Sequence, residues 1–188
     1  MIMRDSKIVR RNTSDNIYVL PGKGNLGEND GQLYMKATPS KAHQDICMYL
    51  SATIFAYIRS KGGSCKVYTA PFKVRLDTED KDIEPDISVI CDKGKLNKDG
   101  CHGAPDWVIE VVSPSHPKKD YKNIDRFYKG GVREYWIVDL DGDKVTVHMF
   151  EKNGLDNSEE YTFNSIVRVG IYNDLQIDFE EVKNYVNF

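Results

Sequence analysis

Apolar residues recur along the chain with two different periods, one typical of a helix and one typical of buried strands. Between Pro39 and Gly63 they return every three or four residues, which predicts one long amphipathic helix. Ser40 is placed to cap its first turn, and Gly62 is placed to end it, because glycine adopts a left-handed backbone at little cost. The residues expected to face the core are Ile46, Leu50, Ile54, Tyr57 and Ile58.

Short apolar segments bounded by Gly, Pro or Asp predict the strands. A short strand is expected at Gln32–Lys36, and Pro71 predicts a bulge or a sheet edge within the segment that contains it. The polar stretch DKGKLNKDGCHGAPD is expected to be a loop between two strands. The segments interpreted as strands are CKVYTAPFKVRL, DISVIC, WVIEVV, EYWIVD and KVTVHMF.

A second helix is expected between WVIEVV and EYWIVD. It is predicted to begin near Lys118 or Asp120 and to end at Lys129, where Gly130 and Gly131 stop it. Its inward side chains are expected to be Tyr121, Ile124 and Tyr128. A strand, a helix and a further strand in this order favour a mixed central β-sheet flanked by helices, an α/β (α+β) fold.

Length and composition narrow the class of protein. The chain has 188 residues, 40% of them hydrophobic and 29% charged, which fits one globular domain. Residues 1–28 are polar and expected to be poorly ordered, and residues 29–188 are expected to form that domain. No apolar run approaches the roughly 18 residues of a membrane span, so no membrane partner is expected.

Charge and cysteine content add two expectations. The formal net charge of -3 argues against nucleic-acid affinity over the whole surface, but it leaves room for a local basic strip. The four cysteines show no close pairing in sequence, so no disulfide framework is expected and a reducing cytoplasm is the default location.

Glu110 interrupts the most informative strand of the sequence. Alternation predicts Trp107, Ile109 and Val111 on one face and the intervening residues, Glu110 among them, on the other. A carboxylate buried among apolar neighbours needs an arginine, a lysine or a metal to stay charged. Asp86 directly follows a proline and begins another apolar strand, so the two carboxylates could share one Mg²⁺ through oxygen ligands. A structural ion pair, or a strand end that reaches solvent, explains Glu110 equally well.

The second helix carries a basic stripe formed by Lys122, Arg126 and Lys129. A solvated helix face is the more common meaning of such a stripe. If it faces the carboxylates, one lysine could orient water or stabilise charge on a phosphate. A structural alternative pairs Glu110 with Lys122 or Arg126 and needs no metal.

Three segments of the chain closely resemble a known family. They are EPDISVICDKGKL, GAPDWVIEVVSPSHPKKDY and GGVREYWIVD, and the likeness extends from about Asp30 to the C-terminus. Their order resembles the Uma-two (Uma2) family of putative restriction endonucleases, part of the PD-(D/E)XK nuclease superfamily. The resemblance implies a restriction-endonuclease-like core in which Asp86 and Glu110 hold Mg²⁺, with Mn²⁺ able to substitute. It further implies hydrolysis of DNA phosphodiester bonds by metal-activated water.

The chain departs from the family pattern at one important position. The superfamily commonly has a lysine two positions after the strand glutamate, where this chain has Val112. In the family that lysine lies four residues after the aspartate matched by Asp120, where this chain has Ile124. The segment is one residue shorter than usual, so Lys122 or Asn123 could take that position, and Lys122 is our choice for the catalytic lysine. Without that lysine, the chain would be a decayed nuclease that binds nucleic acid or protein.

Four further residues are assigned to the lining of the site only through the resemblance. Relatives carry a glutamate before the first strand, which Glu28 would match, and a His-Gln pair on the first helix, matched by His43 and Gln44. Asp120 is expected to line the site as well. A histidine exposed at the start of a helix is the more common alternative for His43. Members of the superfamily often act as dimers to reach both DNA strands, so a homodimer is a further expectation.

Two other functional interpretations are less favoured. Cys91, Cys101 and His102 could suggest zinc, but their spacing contains no C-x-x-C pair. Tyr135 and Trp136 could stack on bases, although packing in the core or at a dimer interface is more common for such a strand.

Overall fold

The computed structural model describes residues 8–11, 17–20, 25–29, 32–36, 39–78, 81–112, 123–150 and 156–186. The chain divides into two compact units, Met1–Thr38 and Pro39–Phe188. In the first unit, β1 (Ile8–Arg11) pairs antiparallel with β2 (Ile17–Leu20). Likewise β3 (Asn25–Asn29) pairs antiparallel with β4 (Gln32–Lys36), which confirms the strand predicted there. The domain boundary expected near residue 29 stays a prediction.

The second unit is built around a six-stranded mixed sheet. Its strands are β5 (Lys66–Thr69), β7 (Ile87–Ile90), β10 (Trp107–Val112), β11 (Glu134–Asp139), β12 (Lys144–Phe150) and β13 (Asp156–Thr162). Across the sheet the order is β13-β12-β11-β10-β7-β5. Strands β10 and β11 run parallel, and the other neighbours run antiparallel. The predicted mixed sheet is therefore confirmed.

Helix α1 (Lys41–Ser60) agrees with its sequence signals. The Ser40 Oγ accepts a hydrogen bond of 3.1 Å from the His43 N–H, so Ser40 caps the first turn as predicted. After the last turn, Gly62 takes a left-handed conformation with φ of +63°. The fully buried apolar residues of the helix are Ile46, Leu50, Ile54 and Ile58, whereas Tyr57 is half-buried.

The second unit also contains two shorter helices and, between β13 and the last helix, an antiparallel pair of short strands, Ile166–Arg168 and Gln176–Asp178. The helices are α2 (Ile124–Gly130) and α3 (Phe179–Val186). Gly131 ends α2 with a φ of +88°, as predicted. The expected start of this helix near residue 118 or 120, and Tyr121, lie outside the described residues. The buried residue of α2 is Phe127, at 1% exposed, whereas Ile124 and Tyr128 are half-buried. The helix therefore turns a different face to the core from the one predicted.

The sheet separates two hydrophobic cores. Helices α1 and α3 cover the face that carries Trp107, Ile109 and Val111. Helix α2 covers the opposite face, which carries Val108 and Val112. The predicted alternation along β10 is therefore confirmed for its apolar residues. No helix in the described ranges is long and apolar enough to cross a membrane.

The segment around Pro71 is divided as the sequence suggested. Strand β5 lies at the edge of the sheet, and the chain resumes after Pro71 as β6 (Val74–Arg75), outside that sheet. The expectation of a loop over DKGKLNKDGCHGAPD is wrong in part. After a 3₁₀ turn at Lys93–Lys95, the chain forms a hairpin of β8 (Leu96–Asn97) and β9 (Gly100–His102). Strand β9 also pairs with β6, and the pattern of residues within either segment does not predict this pairing.

Gly100 is required for that pairing, and its replacement tests the hairpin. Its φ is +140°, and a Cβ built there would lie 2.3 Å from the backbone oxygen of Lys73. Gly100→Ala is therefore expected to lower the free energy of unfolding by about 2–3 kcal/mol, measured by urea denaturation. Gly62→Ala is the matched control: φ is also positive, but nothing lies within 4 Å, so a loss of about 1 kcal/mol is expected. Equal losses for the two variants would contradict the close approach.

One pair of cysteines overturns the expectation from their spacing. Cys65 and Cys91 form a disulfide across 26 residues of sequence. They flank β5 and β7, whose register places Lys66 opposite Ile90, so strand pairing makes neighbours of cysteines that are distant in sequence. Because Cys91 is bonded to Cys65, the zinc interpretation of Cys91, Cys101 and His102 is excluded. The free cysteines in the described part of the chain are Cys47 and Cys101, both buried.

Candidate metal centre at the start of strand β7

Asp86 and Glu110 lie side by side on neighbouring strands. In the antiparallel register of β7 and β10, Ile87 is opposite Ile109, so the next positions along are Asp86 and Glu110. Asp86 lies one residue before β7 begins, directly after the buried Pro85. The two carboxylates that the sequence singled out are therefore brought together at one end of the sheet.

Each of these carboxylates is held by a backbone N–H of the opposite strand. The Asp86 N–H donates to Glu110 Oε2 at 3.2 Å, and the Val111 N–H donates to Asp86 Oδ2 at 2.8 Å. Regular pairing between the two strands stops at Ile87 and Ile109. Beyond that point, backbone N–H groups donate to side-chain oxygens instead of to the backbone carbonyl oxygens of a longer strand. Because β7 begins only at Ile87, these two hydrogen bonds hold both carboxylates in place.

Helix α1 adds a histidine and a cysteine to this cluster. His43 Nε2 lies 3.1 Å from Asp86 Oδ2, and Cys47 Sγ lies 3.7 Å from His43 Nδ1. His43 is only 7% exposed, so the alternative of a surface histidine is wrong. One ligand atom from each of His43, Cys47 and Asp86 falls within 4.8 Å of the others. Gln44, the other half of the His-Gln pair, is exposed.

The cluster is both buried and negative. Burial raises the pKa of the Cys47 thiol well above its usual range, and the charges of Asp86 and Glu110 raise it further. The thiol is therefore neutral near pH 7 when no cation is bound. Carboxylates gathered in a poorly solvated site favour a bound cation, because its charge offsets both their mutual repulsion and their desolvation.

For the remaining predicted site residues, the structure does not test the role that the sequence assigned to them. Lys122 and Asp120 lie outside the described residues. Glu28 belongs to β3 of the first unit, where it is opposite Leu33 in the hairpin. Of the basic stripe, Lys129 is exposed and lies 3.0 Å from Asp125 on the same helix, as expected of a solvated face. The predicted roles of all these residues stay predictions.

Glu134 is a buried carboxylate that sequence reasoning missed. It is fully buried in β11, where Oε1 accepts from Trp136 Nε1 at 2.7 Å and from the Gly170 N–H at 2.9 Å. Oε2 accepts from the Ile171 N–H at 2.8 Å. Burial raises the pKa of this carboxyl, and the same hydrogen bonds oppose that shift. Glu134 therefore anchors the segment at residues 170–171, and its position in an apolar strand was the signal that could have revealed it.

Asp106 shows that a Pro-Asp dipeptide alone does not mark the site. Like Asp86, it follows a proline and precedes a buried strand. Its Oδ2 accepts from the Cys91 N–H at 2.8 Å, and its Oδ1 accepts from Arg133 Nη1 at 3.1 Å. This carboxylate holds together the chain segments around the sheet instead of joining the cluster.

Tyr135 and Trp136 belong to the core, as the more common interpretation held. Both are fully buried, on opposite faces of β11. Trp136 packs edge-to-face on Trp107 with ring centroids 4.8 Å apart. Neither ring is available for stacking on bases.

Comparisons with known proteins agree with this fold. A family model, Uma2, described as "Putative restriction endonuclease", matches residues 21–179. An uncharacterized protein of Synechocystis sp. is 28% identical over 126 residues, which are 66% of this chain. The chain spans 64% of the length of that curated relative.

A solved structure shares the fold. It is the crystal structure of a protein from Anabaena variabilis described as a putative nuclease belonging to DUF820. The two superpose with a TM-score of 0.68 over 84% of this chain and 89% of that chain, at 21% sequence identity. The restriction-endonuclease-like core implied by the resemblance is confirmed at the level of fold.

Proposed function

This chain belongs to the Uma2 family of putative restriction endonucleases, and from that membership we propose that it is a Mg²⁺-dependent DNA endonuclease. Asp86 and Glu110 are the proposed metal ligands. The observation that carries the proposal is their position: each carboxylate is hydrogen-bonded to the backbone of the other's strand, at one end of the sheet. Such a pair suits metal-dependent hydrolysis of a phosphodiester, because it can hold the cation at which the substrate and the attacking water meet.

The residues present fit a hard divalent cation. Mg²⁺ prefers oxygen ligands, and Asp86 and Glu110 provide them on rigid strands. Within the described ranges Asp86 accepts hydrogen bonds through Oδ2, and Oδ1 is the oxygen that we assign to the cation. A bound Mg²⁺ would supply Lewis-acid activation of the attacking water and charge neutralisation at the phosphate.

Other residues of the chain have supporting roles in this proposal. His43 orients the Asp86 carboxylate through the contact at Oδ2. Lys122 is proposed to position the water or to stabilise charge on the phosphate. The net charge of -3 provides little non-specific attraction to DNA, so activity is expected to be weak or sequence-selective. A homodimer that cuts both strands, and Mn²⁺ as a substitute for Mg²⁺, are part of the same proposal.

One departure from the family pattern favours a second candidate, a nuclease fold that binds DNA or protein without cutting. Val112 stands where the resemblance to the superfamily implies a lysine, and Ile124 stands four residues after Asp120, where the resemblance to the family implies one unless the shorter segment puts Lys122 there. A site without that lysine would still bind a cation but would be a poor catalyst. The two candidates differ in cleavage, not in metal binding.

The proposal is tested by incubating wild-type protein with supercoiled plasmid in Mg²⁺, in Mn²⁺ and in EDTA. Nicked circles are expected with either cation and not with EDTA. Calorimetric titration with Mn²⁺ is the companion measurement, and a binding heat is expected. Salt-sensitive DNA binding with Mn²⁺ heat but no nicking would support the second candidate. Absence of both nicking and heat would contradict the metal site altogether.

A further inference from the structure

We propose that His43, Cys47 and Asp86 form a second metal site, selective for zinc-class ions, that overlaps the proposed Mg²⁺ site. Its ligands would be an imidazole nitrogen, a thiolate sulfur and a carboxylate oxygen, with one atom from each residue within 4.8 Å of the others. Asp86 is shared by both sites. The competition with Mg²⁺ rests on the proposed function, whereas the zinc-class site itself does not.

The geometry of helix α1 provides two of these ligands on one face. His43 and Cys47 are four residues apart, so their side chains lie one above the other along the helix. Both are buried, and the Ser40 cap fixes the turn in which His43 lies. Asp86 approaches from the start of β7, with Oδ2 3.1 Å from His43 Nε2. The three groups therefore come from rigid elements, as a metal site of defined shape requires.

The chemistry of these donors selects a different cation from Mg²⁺. Zn²⁺ and Co²⁺ bind cysteine sulfur, histidine nitrogen and aspartate oxygen in four-coordinate sites, whereas Mg²⁺ takes six oxygen ligands. Zn²⁺ also binds sites of nitrogen and sulfur far more tightly than the earlier divalent ions such as Mn²⁺. On binding, the Cys47 thiol releases its proton to solvent and the thiolate becomes a ligand. The fourth position is left to Glu110 or to water.

The charge around Cys47 supports a cation at this position. Asp86 contacts His43 and lies beside Glu110 on the neighbouring strand, so these two carboxylates make the electrostatic potential around His43 and Cys47 negative. A divalent ion reverses that potential. Because Asp86 belongs to both sites, a zinc-class ion bound there would exclude Mg²⁺ and act as an inhibitor of the proposed nuclease.

Titration with Co²⁺ alone tests the site without any measurement of activity. Wild-type protein is expected to develop a thiolate-to-cobalt charge-transfer band together with the intense visible bands of four-coordinate cobalt, and Zn²⁺ is expected to remove both. Cys47→Ser is expected to lose the charge-transfer band and to bind Co²⁺ at least tenfold more weakly. Cys101→Ser is the matched control, because Cys101 is the other buried free cysteine and lies in the opposite core, and it is expected to keep the band.

Two outcomes would overturn the site. One is the absence of a charge-transfer band in the wild-type protein, a result that does not depend on how any variant folds. The other is a band that survives in folded Cys47→Ser, or that disappears in folded Cys101→Ser.

Competition is measured separately, by titrating Mn²⁺ into wild-type protein with and without saturating Co²⁺. Loss of the Mn²⁺ heat after Co²⁺ loading supports the overlap, and an unchanged heat overturns it. If the cobalt band appears but no plasmid is cut under any condition, the proposed function fails and the zinc-class site stands.

Discussion

Asp86→Asn and Glu110→Gln are each expected to reduce Mg²⁺-dependent nicking about a hundredfold or more, equivalent to about 2.7 kcal/mol in the barrier. The amides keep the shape of the side chains, and an amide oxygen can still accept the N–H of Val111 or Asp86. They lack the negative charge that a hard cation requires. The fold is therefore expected to survive while the metal site is lost. Plasmid nicking rates and the Mn²⁺ binding heat are the measurements.

Asp106→Asn is the matched control, since Asp106 stands in the other Pro-Asp dipeptide that precedes a buried strand. Its carboxylate binds the Cys91 N–H and Arg133, so the variant is expected to lose about 1–2 kcal/mol of stability. Its nicking rate and Mn²⁺ heat are expected to match those of the parent. If Asp86→Asn and Glu110→Gln cut as fast as the parent, the assignment of the metal ligands is wrong.

Glu134→Ala is expected to lower the free energy of unfolding by about 3–5 kcal/mol. The change removes the acceptor for Trp136 Nε1–H and for the N–H groups of Gly170 and Ile171. It also leaves a cavity beneath the segment that these bonds secure. Urea denaturation followed by tryptophan fluorescence measures the loss directly, because Trp136 is one of the donors affected.

Glu134→Gln separates the hydrogen bonds from the packing. The amide fills nearly the same volume, but its NH₂ group would face an N–H donor, so a smaller loss of about 1–3 kcal/mol is expected. The Mn²⁺ heat of this variant should be that of the parent. A folded Glu134→Gln protein with no Mn²⁺ heat would place Glu134 in the metal site and contradict its anchoring role.

The parts of the fold that the sequence predicted are those set by local pattern. The apolar period of α1, the cap at Ser40 and the end at Gly62 all act within one or two turns. Alternation along β10 required only six consecutive residues to predict which side chains share a face of the strand. The mixed sheet followed from the helix that separates β10 from β11, whereas the order of the strands across the sheet was not predicted.

The features that the sequence did not predict depend on pairing between distant segments. The Cys65–Cys91 disulfide requires the register of β5 with β7, and the hairpin at β8 and β9 requires β6 beside it. Glu134 accepts a hydrogen bond from the N–H of Gly170, which lies 36 residues further along the chain. No local window contains both partners in any of these cases.

The candidate site was predicted in part, for the same reason. Asp86 and Glu110 each begin or interrupt an apolar strand, which is a local anomaly visible in the sequence. The contact of His43 with Asp86 spans 43 residues, and only a family resemblance suggested that His43 lies nearby. Cys47 gave no signal at all, because a buried cysteine on a helix normally counts as an ordinary apolar residue.

The late start of β7, after Asp86, has a consequence for how a cation would bind. Asp86 and Glu110 are each restrained by a peptide N–H group, which has no rotamers of its own, and Asp86 is also restrained by the buried His43. Little side-chain entropy would therefore be lost when a cation binds. By comparison, each mobile side chain that becomes immobilised on binding costs about 0.5–1.5 kcal/mol. The carboxylate pair is thus preorganised, and crystals grown with and without a cation should show both carboxyl groups in the same orientation.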